Sequence, residues 1–372
     1  MDYETPQFFR VMQYAAGADR DIVDMVSGNP DWDPPDPLRD GLREYADADS
    51  DDFQYPPSVG LTPLREEIAQ RRGVDRSRVL ITNGAGEANH LAMTGALDRA
   101  DGDEVLLTDP VYPYYAGRTN FLDATARYVP VDEAGQLDPA AVREAASDDT
   151  AAVVINSPNN PTGAVYPPET VAELADIAEE RDAVLISDEV YDHFDYTGTF
   201  ESALSLESDH TVVTNSVSKS LAITGFRVGY VVLPPESGPL GGMIERARTR
   251  HMLTNVAGSR PAQRAVLEAL RETPPEHYER NRQRLRERIE TFTAALDAAG
   301  AEYTRPGGAF YVLARFEGFP GTMANVERLI DEAGVAGMPG EAFGESRADW
   351  LRFALVTPRV EEAADRLAAY FG

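Results

Sequence analysis

An α/β domain on a mostly parallel, seven-stranded sheet, followed by a smaller α+β domain, is the fold class this 372-residue sequence predicts. Two observations carry it. Seven short runs rich in apolar and β-branched residues recur between Arg78 and Leu233. Amphipathic stretches such as Glu87–Leu97 and Pro168–Glu180 lie between several of them. Near-continuous apolar strands separated by helices mark a sheet covered on both faces. A chain of this length, 42% hydrophobic, also has the apolar content for two cores.

In order, the runs are Arg78–Thr82, Glu104–Thr108, Arg127–Val131, Ala151–Asn156, Ala183–Ser187, Thr211–Thr214 and Val228–Leu233. Ligands of such sheets bind beyond the carboxyl ends of the strands, so the residues just after each run are the first candidates for chemistry. From Pro261 to Gly300 the pattern turns helical and charged. Glu279–Arg288 reads as a solvated helix face laced with ion pairs. Shorter strands (Ala309–Arg315, Trp350–Leu355) and helices (Thr322–Ala333, Val360–Tyr370) then make the smaller domain. The acid-rich stretch Tyr45–Asp52 reads as a solvated loop. The expected division is 1–37, an N-terminal segment of the small domain; 38–262, the large domain; and 263–372, an interdomain helix and the C-terminal small domain.

Sixty-three acids against 34 bases give a formal charge of -29. Such a surface repels nucleic acid and anionic membrane, which need a positive field. It also repels itself unless salt screens it, and at molar salt the Debye length is only about 3 Å. A halophile's cytoplasm is therefore expected. No cysteine is present, which excludes disulfides and thiolate catalysis. His90, His193, His210, His251 and His277 show no metal-ligand spacing, so no metal is expected. No signal-like segment and no membrane-length apolar run appear, and the protein is expected to be soluble and intracellular.

Lysine is the sharpest compositional anomaly. A chain of this size would ordinarily carry about twenty; this one has Lys219 alone. Only lysine offers an amine that can lose its proton and attack a carbonyl to form a Schiff base, which arginine cannot do. Its uniqueness and its setting, Ser216-Val217-Ser218-Lys219 after an apolar run, make it a candidate catalytic amine.

Further motifs follow other strand ends. Asn83-Gly84-Ala85-Gly86-Glu87 joins a strand to a helix; small residues there let backbone N–H groups approach a phosphate at the helix N-terminus. Taken alone, glycine there also suits the turn geometry. Asn160-Pro161-Thr162-Gly163 reads alone as a turn. Asp188 and Tyr191, three residues apart at a strand end, can be aimed at one ligand. Arg227 follows Lys219 closely, in Gly225-Phe226-Arg227-Val228-Gly229.

In this order and at these strand ends, the motifs resemble those of fold type I pyridoxal-phosphate (PLP) enzymes, specifically the class I/II aminotransferase family of the aspartate aminotransferase type. The resemblance runs from Gly28-Asn29-Pro30-Asp31 to Arg352. It implies that Lys219 forms the Schiff base with the cofactor and shuttles the substrate proton. Asp188 is similar to the carboxylate at the pyridine nitrogen, keeping it protonated so that the ring accepts electrons. Asn160 and Tyr191 resemble the donors to the phenolate oxygen, and Tyr112 the aromatic ring stacked on the cofactor. Gly84, Ala85, Gly86, Ser216 and Arg227 map onto the phosphate site. Tyr55 resembles the tyrosine that reaches the neighbouring subunit's phosphate, which implies a homodimer with shared active sites. Arg352 and Gly28, with Asn160, correspond to the binders of the substrate α-carboxylate. Pro306–Tyr311 and Pro339–Phe343 resemble landmarks of the small domain and read as structural.

Two places depart from the family pattern. Gly86 stands where a hydroxyl residue is common, so one phosphate contact is expected to be missing. Thr249–Val256 replaces an expected serine-rich stretch. No motif marks the site for the substrate's distal side chain. Arg10, Arg248, Arg250, His251 and Arg260 qualify by location only, and surface or interface roles fit them better. The expected activity is transfer of an amino group between an L-amino acid and a 2-oxo acid. A β-eliminating lyase or a synthase on the same fold is the alternative. A cofactor-binding regulatory module is disfavoured, because the fold uses the whole chain and the charge repels DNA.

Overall fold

The computed structural model describes residues 6–372. The described chain opens with helix α1 (Gln7–Ala16), strand β1 (Val23–Asp24) and helices α2 (Asp36–Ala46) and α3 (Thr62–Arg72). The large sheet follows: β2 (Val79–Thr82), α4 (Ala85–Leu97), β3 (Glu104–Asp109), α5 (Pro113–Phe121), β4 (Thr125–Pro130), α6 (Pro139–Ala145), β5 (Thr150–Asn156), α7 (Pro168–Glu180), β6 (Val184–Asp188), β7 (Thr211–Ser216) and β8 (Gly229–Val232). Then come α8 (Met243–Asn255), α9 (Arg260–Glu272), α10 (Pro275–Ala298), β9 (Glu302–Tyr303), β10 (Tyr311–Arg315), α11 (Met323–Ala333), β11 (Val335–Ala336), β12 (Met338–Pro339), β13 (Leu351–Ala354) and α12 (Val360–Phe371).

The seven expected strands pair into one sheet in the order β2-β8-β7-β6-β5-β3-β4, and only β8 runs against its neighbours. Alternation within each strand feeds two cores. Val153, Ile155, Leu185 and Val213 point into one apolar cluster with α3, α7 and α9. Ala152, Val154, Ile186 and Val212 point into another, where Ala88, Ala92 and Ala96 bring α4 close to the sheet. All residues of β5 are buried. That is why the runs look continuously apolar: both faces are covered.

A four-stranded sheet, β12-β13-β10-β9, has its own core of Val312, Phe353, Leu329 and Phe292. Strand β1 pairs with β11, so the N-terminal segment is stitched to the C-terminal part of the chain. The stretch Tyr45–Asp52 is not wholly a loop: α2 runs to Ala46 and a 3₁₀ turn occupies Ser50–Phe53. The charged segment after Pro261 is two helices, α9 and α10, interrupted at Thr273–Pro274, since proline cannot continue the first helix. Ion pairs Glu279–Arg282 and Glu279–Arg286 lie on its exposed face, while Asn281 and Leu285 turn inward.

Candidate active site

Because six strands share one direction, their carboxyl ends converge on one edge. There they open onto a cavity of about 660 Å³ roofed by α1 and by residues 338–343. It takes in Gly28, Ala85, Gly86, Tyr112, Asn160, Asp188, Tyr191, Ser216, Lys219, Arg227 and Arg352. Gly84 lies beside it as the N-cap of α4. Tyr55 is elsewhere, on the surface and 80% exposed.

Strand β6 delivers Asp188, 3% exposed, to the cavity floor. Its Oδ2 accepts from Asn89 Nδ2 and Tyr115 OH, both at 2.6 Å, and its Oδ1 from the Val190 amide at 3.1 Å. Thr214 in turn holds Asn89 through Oδ1 at 2.7 Å. Burial pushes the Asp188 pKa up, against those hydrogen bonds. No cation of the protein is bonded to it among the described residues, so the carboxylate is oriented but not neutralised.

Across the cavity, Lys219 Nζ donates to the Gly28 carbonyl at 2.6 Å. Burial lowers its pKa from 10.5 to about 8, and the Arg352 and Arg227 charges push the same way. Gly28 can come this close only as glycine: a Cβ there would lie 2.3 Å from the Tyr311 hydroxyl. Tyr311 OH meets Tyr191 OH at 2.9 Å, and burial raises both phenol pKa values.

Arg352, on β13, is 4% exposed. It donates to Val26 O at 2.5 Å and Asn160 Oδ1 at 3.3 Å, and lies against the rings of Tyr311 and Phe343. Its Nε has no partner among the described residues. Arg227 reaches over the first turn of α4, donating to Asn83 O at 3.0 Å. Gly84, at φ 80°, makes room for it: a Cβ would sit 2.3 Å from the guanidinium. Ser218, 5% exposed, has a buried Oγ without a partner among the described residues.

Four cations (Lys219, Arg118, Arg227 and Arg352) and two acids (Asp188 and Glu341) line the cavity. None of the four cations is ion-paired to a carboxylate among the described residues. In a chain of charge -29, this is a locally positive pocket awaiting anions. An N-terminal helix turn, a buried unpaired serine hydroxyl, a carboxylate without a counter-ion and an amine fit a phosphorylated, nitrogen-bearing aldehyde.

The sequence matches the family described as Aminotransferase class I and II over residues 20–367. The chain belongs to this family. It is a PLP-dependent aminotransferase that moves an amino group between an amino acid and a 2-oxo acid. The aspartate/prephenate aminotransferase of Thermus thermophilus is 33% identical over 366 residues, covering 95% of this chain and 91% of the relative. A probable aspartate aminotransferase of Methanocaldococcus jannaschii is 31% identical, at 91% and 90% coverage. Among solved structures, an aspartate aminotransferase from Thermus thermophilus with maleate superposes with TM-score 0.89 at 32% identity, covering 99% of this chain and 97% of that one. An alanine aminotransferase from Pyrococcus furiosus reaches 0.91 at 29% identity, with the same coverage.

The cavity lining of this aminotransferase changes one expectation. Tyr311, Glu341, Ala342 and Phe343 line the cavity, so the two landmarks read as structural also furnish its wall. None of Arg10, Arg248, Arg250, His251 and Arg260 lines it: Arg250 pairs with Asp98, Arg248 with Glu245, Arg260 with Asp52 and His251 with Glu87, while Arg10 is exposed on α1. Sequence reasoning also missed Asn89, Tyr115 and Arg118. Each lies within a helix rather than just after a strand, and only the fold turns it toward the cavity.

Proposed function

We propose that this aminotransferase binds its cofactor and substrate through the residues converging on Lys219, with an acidic L-amino acid as donor. The observation that carries the reading is the placement of Lys219 Nζ and Asp188 in one cavity with the unpaired Arg352. When bound, PLP supplies an aldehyde carbon to take up an amine and a protonated ring to accept electrons. Lys219, its pKa lowered to about 8, is neutral far more often at neutral pH than a solvated lysine, and its Nζ would take the proton from the substrate Cα and return it. Asp188, held by Asn89 and Tyr115, keeps the ring nitrogen protonated. Asn160, whose Oδ1 faces Arg352, presents its amide donor to the cofactor with Tyr191, and Tyr112 stacks on the ring. Arg352 binds the α-carboxylate, which selects amino and oxo acids over simple amines. Gly84, Ala85, Gly86, Ser216 and Arg227 bind the phosphate.

Aspartate is the donor to try first, because the relatives named above include aspartate aminotransferases. The exposed Tyr55 is proposed to reach the partner's phosphate in a homodimer; nearby exposed apolar groups such as Phe53 support a buried interface there. The charge of -29 supports work in a high-salt cytoplasm. The test is a half-reaction in molar salt. Aspartate alone should convert the bound cofactor to pyridoxamine phosphate with release of oxaloacetate. Pyruvate plus ammonia released from serine, by loss of its β-hydroxyl as water and hydrolysis of the product, with no pyridoxamine phosphate formed, would instead reveal a lyase. A melting temperature unchanged at low salt would remove the halophilic reading.

A further inference from the structure

Gly86 and Arg118 belong together. Gly86 stands in the first turn of α4, where the backbone amides of Ala85, Gly86 and Glu87 precede the first i→i−4 bond of the helix, made by Ala88 to Gly84. With no side chain there, position 86 can offer an anion only its backbone amide. Arg118 comes from α5, a different element, and its Nη2 lies where a side chain on Gly86 would touch it, 3.8 Å from the position of a Cβ. It is half-buried, lines the cavity and makes one long hydrogen bond, to Tyr114 O at 3.4 Å. No carboxylate is within 4 Å of it among the described residues, although most cavity-remote arginines in this acid-rich chain are ion-paired. Ser218, 5% exposed and with its Oγ unpartnered among the described residues, lines the same cavity and independently points to a polar ligand.

We infer that Arg118 is a second phosphate-binding arginine, replacing from α5 the contact that a side chain at position 86 would make. Arg227 flanks the α4 N-terminus over Gly84, and Arg118 flanks it over Gly86. A phosphate dianion between them meets two guanidinium groups and the free amides. The inference rests on the proposed cofactor site and adds a residue to it.

The test compares cofactors with and without phosphate. Full-length apoenzyme of wild type, Arg118→Gln, and Arg118→Gln with Gly86→Ser is titrated with PLP and with pyridoxal in the same salt. Loss of one charge-assisted hydrogen bond should raise the PLP dissociation constant about tenfold or more in Arg118→Gln. Pyridoxal affinity should change less than about twofold, because it has no phosphate to lose. Adding Gly86→Ser should recover part of the loss, since a serine Cβ has only ordinary contact there. Equal weakening of both ligands would mean a general structural role and overturn the assignment. Unchanged PLP affinity with a raised KM confined to dicarboxylic substrates would also overturn it, assigning Arg118 to the substrate's second carboxylate. Failure of wild type to bind either ligand would instead refute the cofactor site itself.

Discussion

Two charged regions lie back to back at the end of β6 and are built on opposite terms. Asp188 faces the cavity; Glu189, the next residue, faces away. Glu189 is wholly buried, yet it meets Arg72 at 3.3 Å, two contacts from Ser202 Oγ and the Ala203 amide at 2.8 Å. Asp192 completes the cluster by pairing with the same Arg72 and accepting from Asn215 at 2.9 Å. Burial raises the Glu189 pKa to about 7 against the pull of Arg72; at Asp192 the nearby His193 and Arg72 outweigh burial and lower it. Behind the sheet edge, both carboxylates thus have a bonded cation within the chain, the shared Arg72. In front of it, Asp188, Lys219, Arg118 and Arg352 have no counter-ion within 4 Å among the described residues. The difference separates structure from function: an ion-paired cluster holds elements together, while an unpaired one suits a ligand.

The largest expected effect breaks the open side. Lys219→Ala should abolish both the visible absorbance of the bound cofactor and all turnover; retained absorbance with activity would sink the central assignment. Next comes the closed side. Arg72→Met leaves Glu189 and Asp192 buried without a cation, which should cost about 3–5 kcal/mol in unfolding experiments. The cofactor spectrum and substrate KM should stay near wild type. Because the stranded carboxyls would then favour their protonated forms in the folded state, the loss should shrink toward about pH 5 and grow as pH rises. A variant that instead loses cofactor at full stability would erase the distinction between the two regions.

Smaller effects sharpen the comparison. Arg352→Ala should raise the KM for amino and oxo acids about 100-fold, equivalent to losing a paired charge-assisted contact, with little change in absorbance. An unchanged amino-acid KM would remove Arg352 from the α-carboxylate. The mildest probe is pH. The unfolded Lys219 amine titrates near 10.5 and the folded one near 8, so between those values the folded apoenzyme holds fewer protons. Its stability should therefore rise with pH across that window. Capture of PLP should likewise increase with pH and level off above about 8. A rate still climbing toward 10.5 would show that the amine is solvated rather than buried.

Much of this organisation is legible in the sequence, for definite reasons. The large sheet shows because strands such as Thr150–Asn156 are buried on both faces and leave an unbroken apolar trace. Asp188 and Ser216 show because they end such traces, and Lys219 because it is alone. What stays hidden depends on register between distant segments. The two-residue strands β1 and β11 carry no periodicity to read, and their pairing is tertiary. Tyr115 and Arg118 occupy one short helix among other polar and aromatic residues. Which of them faces Asp188 or Gly86 follows only from how α5 rests beside α4. The reversal of β8 has no local mark either, since a buried strand reads alike in both directions.

The solitary Nζ of Lys219 has a consequence for protein chemistry. Elsewhere on this chain, the surface offers cations but no lysine amine for aldehydes, acylating reagents or amine-directed cross-linkers to find. Excess aldehyde cofactor, which decorates lysine-rich proteins at random, has a single side-chain destination here. Reductive trapping followed by mass measurement should therefore count occupied sites directly, with at most one side-chain adduct per chain.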